Sequence, residues 1–259
     1  MTVQTPEEAD ESFTSALEAA LLAAADDDHV MGNRLCDWTG VAPTVEEDVA
    51  ISNVAQDELG HAEHLYAEVT KLRDATAQEL AYEREPEAYR NARLLEAPFE
   101  EWADTVVRHY CYDVADSIRL EALADGEYDP IQGLLEKILA EEAYHLEHGE
   151  VWIETLAADE EGAERLQAAL EANWADALAF FEFGGDDPAE VGVYGTSLAD
   201  QREAFIDEVV PTLEAAGLTV PELEAPAEAS GREGAHTADL EDLLAETRTV
   251  YEQGVDVDA

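Results

Sequence analysis

Two stretches of the chain follow helical apolar spacing, and each is broken at its centre by the same polar pair. One runs Ile51, Val54, Glu58, His61, Leu65, Val69, Leu72; the other runs Ile131, Leu135, Ile138, Glu142, His145, Gly149, Trp152. A Glu and a His three residues apart share one helix face and can reach one point. A charge on a buried face is costly unless it is paired or bound to metal, so these groups must meet one another or a cation. Two long helices that each turn Glu-x-x-His inward predict an all-α bundle with a polar centre.

The spacing alone carries little weight in a chain with 63 Asp and Glu among 259 residues. Four of the seven histidines have an acidic residue three positions earlier, and Asp26/His29 and Glu233/His236 show it away from either stripe. Placement separates the pairs. A second pair of stripes supplies single carboxylates: Leu17, Leu21, Ala24, Asp28, Met31, Leu35, and Trp102, Val106, Tyr110, Asp113, Ser117, Leu120. The two halves repeat at an offset of 84 or 85 residues, as in a duplicated helical hairpin. Asp28, Glu58 and His61 are therefore expected to face Asp113, Glu142 and His145 as metal ligands. Four carboxylates and two imidazoles suit two irons with open positions for oxygen. Asp26 and Asp27 are neighbours that could replace Asp28. Asp57 and Glu141 are placed to accept the free N–H of a ligand histidine on the opposite helix. His64 and His148 lie well round the helix and read as solvated or packing residues. The alternative is a metal-free set of ion pairs among the same six residues.

Helix signals divide the rest. Thr5-Pro6 opens a helix to about Trp38, and Thr44-Val45-Glu46-Glu47 reads as a capping box opening a second to about Asp74. Pro86 and Pro98 bound a short helix. A third long helix spans about 99–124 and a fourth reaches about 158, giving a core bundle over about 5–158. Accessory helices follow over about 160–217, then a linker at 219–235 with Pro221, Pro226 and Gly231, then a C-terminal helix over about 237–252. The expectation is a single domain, 1–259, of ferritin-like four-helix type with accessory C-terminal helices.

A formal charge of −50, with Lys71 and Lys137 the only lysines, disfavours nucleic acid and anionic membranes as partners. Such self-repulsion is relieved by salt, which points to a salty cytoplasm. Cys36 and Cys111 are isolated thiols that fit a reducing compartment. The acidic N-terminus does not read as a signal peptide, and no apolar run is long enough to span a bilayer.

Arg34-Leu35-Cys36-Asp37-Trp38-Thr39-Gly40-Val41-Ala42-Pro43, Tyr110-Cys111-Tyr112-Asp113, Tyr144-His145-Leu146 and the closing Gly231-Arg232-Glu233-Gly234-Ala235-His236-Thr237 resemble the PaaC family of the phenylacetyl-CoA ring-epoxidase, a multicomponent oxygenase. The similarity runs over nearly the whole chain. It implies a ferritin-like component that pairs with a PaaA-type catalytic partner within a larger complex. There PaaA carries the di-iron site and epoxidises a CoA-thioester with dioxygen, using electrons from a separate flavin and iron–sulfur reductase. The family's PaaC is a structural partner whose metal positions are degraded. This chain departs from that pattern, because Glu58-x-x-His61 and Glu142-x-x-His145 look like the motifs of the catalytic PaaA. Two readings follow: a PaaC-type chain that keeps an ancestral site, or one whose site is active. The rivals are a ferritin-like iron-oxidising or iron-storage protein, against which the accessory helices argue, and a metal-free scaffold. Arg84, Arg90 and Arg93 form the nearest basic cluster and read as solvated surface, which leaves the CoA phosphates mainly to the partner.

Overall fold

A computed structural model describes residues 3–222 and 230–257 of the chain. Among them are eight α-helices, and the only β pairing is an isolated bridge between Val3 and Tyr128. The helices are α1 (Glu11–Leu35), α2 (Val45–Val69), α3 (Ala77–Tyr82), α4 (Trp102–Ala124), α5 (Gln132–Ala157), α6 (Glu160–Leu178), α7 (Leu198–Ala215) and α8 (Ala238–Val257). None is long and apolar enough to cross a membrane. The all-α, ferritin-like architecture expected from periodicity is what the chain adopts, and each long hairpin carries one Glu-x-x-His.

Backbone proximity groups the chain into two compact units. The first takes Met1–Leu17 and Phe99–Glu228, the second Glu18–Pro98 and Ala229–Ala259. In the first unit α4 is the central helix, with α5, α6 and α7 against it. Glu101 caps α4 by accepting the Asp104 N–H. Nearly every turn of α4 is buried, so its Arg108 lies inside, stacked over the Phe99 ring at 4.3 Å and 3.2 Å from Asp104 Oδ2. Gly149 lets α5 come close to α4: a Cβ there would sit 3.2 Å from the Tyr110 Cβ.

In the second unit Thr44 caps α2 through the Glu47 N–H, as its sequence predicts. Gly32 plays the part of Gly149 here. An added Cβ would lie 2.8 Å from Leu59 Cγ and 3.0 Å from the Ala55 carbonyl, so α1 and α2 lie close together beside Glu58. The short helix between these long ones is not the segment bounded by Pro86 and Pro98. It is α3, opened by a full capping box in which Thr76 and Glu79 satisfy each other's backbone N–H groups. The proline-bounded segment forms only 3-10 turns at Pro86–Ala88 and Arg93–Leu95. Thr5-Pro6 likewise opens a 3-10 turn without a side-chain cap, and α1 starts at Glu11.

Within the segment read as a linker, Pro226 lies outside the described residues, while Ser230, Gly231 and Arg232 are buried. Gly231 sits so close to the Asn91 carbonyl that a Cβ would be 2.1 Å from that oxygen. His236 bridges Glu96 Oε1 at 2.7 Å and the Tyr89 carbonyl at 3.0 Å, and the Thr237 N–H donates to Glu96 Oε2. This closing motif pins residues 89–96.

Candidate metal centre

In the second unit, Asp28 on α1 and Glu58 and His61 on α2 are buried and converge. One ligand atom from each lies within 4.8 Å of the others. The neighbouring aspartates are committed elsewhere. Asp26 is ion-paired with Arg84, accepts the Tyr66 hydroxyl at 2.6 Å and accepts the Arg90 N–H at 2.8 Å. Asp27 takes both Arg232 Nη atoms at 2.8 Å and the Ala92 N–H at 2.6 Å. Of the three carboxylates open at the sequence level, only Asp28 stands with Glu58 and His61. Arg84 is therefore no solvated surface group. It spans Asp26 and the Tyr89 ring, 4.0 Å from the ring centroid.

In the first unit, Asp113 on α4 and Glu142 and His145 on α5 form the matching triad. All three are buried, and one ligand atom from each lies within 4.8 Å of the others. His145 Nδ1 is 3.3 Å from Glu142 Oε2. His109, one turn before Asp113 on α4, places Nε2 3.2 Å from Asp113 Oδ2. Burial holds the His109 pKa well below the ordinary range, and the nearby His148 and His145 lower it further. Burial thus favours the neutral imidazole at His109, which stands beside the Asp113 carboxylate. Periodicity assigned this stretch of the stripe to Tyr110. A histidine four residues before a stripe aspartate is the signal that could have found His109.

The other histidines divide as follows. His64 is exposed, whereas His148 is half-buried with its ring 5.9 Å from that of His109. Asp26 and His29, off the stripes in the sequence, are both buried. Burial lowers the His29 pKa to about 4 despite Asp26. Glu141 is half-buried, with Oε2 3.6 Å from Lys137 Nζ.

The donor chemistry of each triad fits iron: two carboxylates and one imidazole, hard oxygens with a borderline nitrogen, on two helices held in close register. A divalent ion would also offset two buried carboxylates at once.

The family described as phenylacetic acid catabolic protein matches residues 1–257. The chain belongs to that family. Among curated relatives, this family member is 29% identical over 234 residues to PaaC, the C component of the 1,2-phenylacetyl-CoA epoxidase of Escherichia coli (strain K12), covering 89% of this chain and 94% of that protein. It is 27% identical over 193 residues to PaaA, the A component of the same organism's epoxidase, covering 71% of this chain and 62% of that protein. The family resemblance read from the sequence is thereby shown.

Proposed function

We propose that this phenylacetic acid catabolic protein is a PaaC-type component of a phenylacetyl-CoA epoxidase complex and pairs with a PaaA-type catalytic chain. The observation that carries this reading is the end-to-end similarity to the Escherichia coli PaaC, which takes in 94% of that protein. The shorter match to PaaA supports descent of both types from one helical ancestor. It favours an oxygenase component over an iron-storage protein.

The same reading gives the chain its own metal pair. Asp28, Glu58 and His61 would hold one iron within the second unit, and Asp113, Glu142 and His145 another within the first. Bound iron would supply dioxygen activation with electrons from a separate reductase. The chain's own residues would supply ligands and exclude water by their burial: His109 stands beside Asp113, while the engagement of Asp26 and Asp27 leaves Asp28 as the α1 donor. The CoA-thioester is read as bound mainly by the partner, since Arg84 and Arg232 are spent on buried aspartates. The excess of acid fits a concentrated-salt cytoplasm.

Co-expression with the PaaA-type chain and metal analysis of each species test the two parts separately. A stable heteromeric complex is expected, and its absence sinks the PaaC-type assignment. About two irons per isolated chain after anaerobic Fe(II) loading are expected, falling sharply in Glu58→Ala and Glu142→Ala. Retention of iron in both variants sinks the metal assignment and leaves the PaaC-type assignment standing.

A further inference from the structure

The two triads match in their own donors and differ in what stands one turn away. Four residues before Asp28 is Ala24, buried and without a donor side chain. Four residues before Asp113, at the matching place in the repeat, is His109. Side chains four apart on a helix lie over one another on one face, so α4 delivers an imidazole and a carboxylate to the same spot.

His109 is 2% exposed, and its Nε2 has no hydrogen-bond partner among the described residues. That nitrogen nonetheless lies 3.2 Å from Asp113 Oδ2. A buried ring nitrogen close to a carboxylate oxygen, yet not aligned to hydrogen-bond with it, calls for a physical reason, and a cation held by both atoms supplies one. A first-row metal ion bound at about 2.1 Å by a carboxylate oxygen and an imidazole nitrogen holds the two about 3.0–3.4 Å apart. His109 and Asp113 stand at that spacing, and so do His145 Nδ1 and Glu142 Oε2, at 3.3 Å.

Nitrogen is also concentrated in this unit. The His145 ring lies 6.3 Å from the His109 ring and the His148 ring lies 5.9 Å from it. In the second unit the residue corresponding to His148 is His64, which is exposed. Imidazole donors suit iron and the later divalent metals, whereas carboxylates alone suit magnesium, calcium and manganese.

We propose that His109 is a further metal ligand, binding through Nε2 the same ion as Asp113, Glu142 and His145. The first-unit ion then has two imidazoles and two carboxylates, against one imidazole and two carboxylates in the second unit. The two ions are inequivalent, and the first is held more tightly. This rests on the metal reading above and adds a donor outside its six ligands.

Anaerobic Co(II) loading of the full chain tests it, with Asp28→Ala used to leave only the first-unit site. X-ray absorption at the cobalt edge counts imidazoles directly. One Co(II) per Asp28→Ala chain is expected, with two imidazole nitrogens around it. Adding His109→Gln should reduce that count to one and weaken Co(II) binding at least about tenfold, with metal-free thermal melts showing that the variant folds. A count of one in the Asp28→Ala protein, a measurement that needs no substitution at His109, overturns the proposal and leaves the triad reading standing. A count and an affinity that His109→Gln leaves unchanged do the same. Failure of the unsubstituted chain to bind any Co(II) removes the metal reading and this proposal with it.

Discussion

Successive residues on a helix point about 100° apart, so Asp26, Asp27 and Asp28 on α1 must look three ways. The first meets Arg84 and Tyr66, the second Arg232, and the third Glu58 and His61. Because Asp27 and Arg232 are both buried and bidentately bonded, losing one partner strands a charge. Arg232→Met is expected to cost about 3–5 kcal/mol in urea unfolding, with Asp27→Leu/Arg232→Met recovering most of it. A single-variant loss below about 0.5 kcal/mol would reject this account. The stripe position of Asp28 was legible because it depends on local period alone. Its neighbours' partners were not, since Arg84 lies 58 residues from Asp26 and Arg232 lies 205 from Asp27, and no local pattern encodes such pairings. The two thiols also separate at this scale. Cys36 is exposed, whereas burial, aided by Asp113, pushes the Cys111 thiol up to about 12. Partial burial and Asp37 raise the Cys36 thiol as well, so access makes the difference: native protein should alkylate at Cys36 alone and take a second equivalent only after unfolding. Peptide mapping after iodoacetamide treatment checks this, and native labelling at Cys111 would contradict it.

At the level of elements, the fit of α1 to α2 rests on a missing side chain. Gly32→Ala forces a Cβ to 3.1 Å from Glu58 Cβ and nearer still to Leu59 Cγ, so the helices must separate beside the ligand carboxylate. We expect a loss of about 1–3 kcal/mol together with reduced iron retention. Gly60→Ala, in open space on α2, is the matched control and should gain up to about 1 kcal/mol from helix propensity. Chemical denaturation of the two variants decides it: equal changes would mean that the close approach at Gly32 has no energetic weight. Local chemistry explains which boundaries could be read. Thr44 was legible because its cap is made with Glu47, three residues on. Thr76 and Glu79 carry the same signature, yet the prolines at 86 and 98 drew the expected helix past them. A proline marks where a helix cannot continue and does not require one to form between two such points.

For the molecule as a whole, the balance of charge at the surface is more lopsided than composition states. Only 13 basic residues oppose 63 acidic ones, and Arg34, Arg108, Arg119 and Arg232 are buried. Arg119 is paired with Asp116 inside α4 and Arg232 with Asp27, so these cations do nothing for the repulsion among exposed carboxylates. Salt acts on the two populations differently. The screening length falls from about 10 Å at 0.1 M to about 3 Å at 1 M, which weakens repulsion between exposed groups but hardly reaches a dry pair. The melting temperature should therefore climb steadily with KCl well past 0.1 M, and sucrose, which adds no ions, should not reproduce the low-salt part of that rise. The penalty for Arg232→Met should meanwhile stay nearly constant across the same series, because it arises from a buried charge. Differential scanning calorimetry of parent and variant over a KCl gradient measures both quantities in one experiment. A parent melting temperature indifferent to KCl would remove surface repulsion as a controlling term, and a variant penalty that vanished in salt would mean that the Asp27–Arg232 pair is open to solvent.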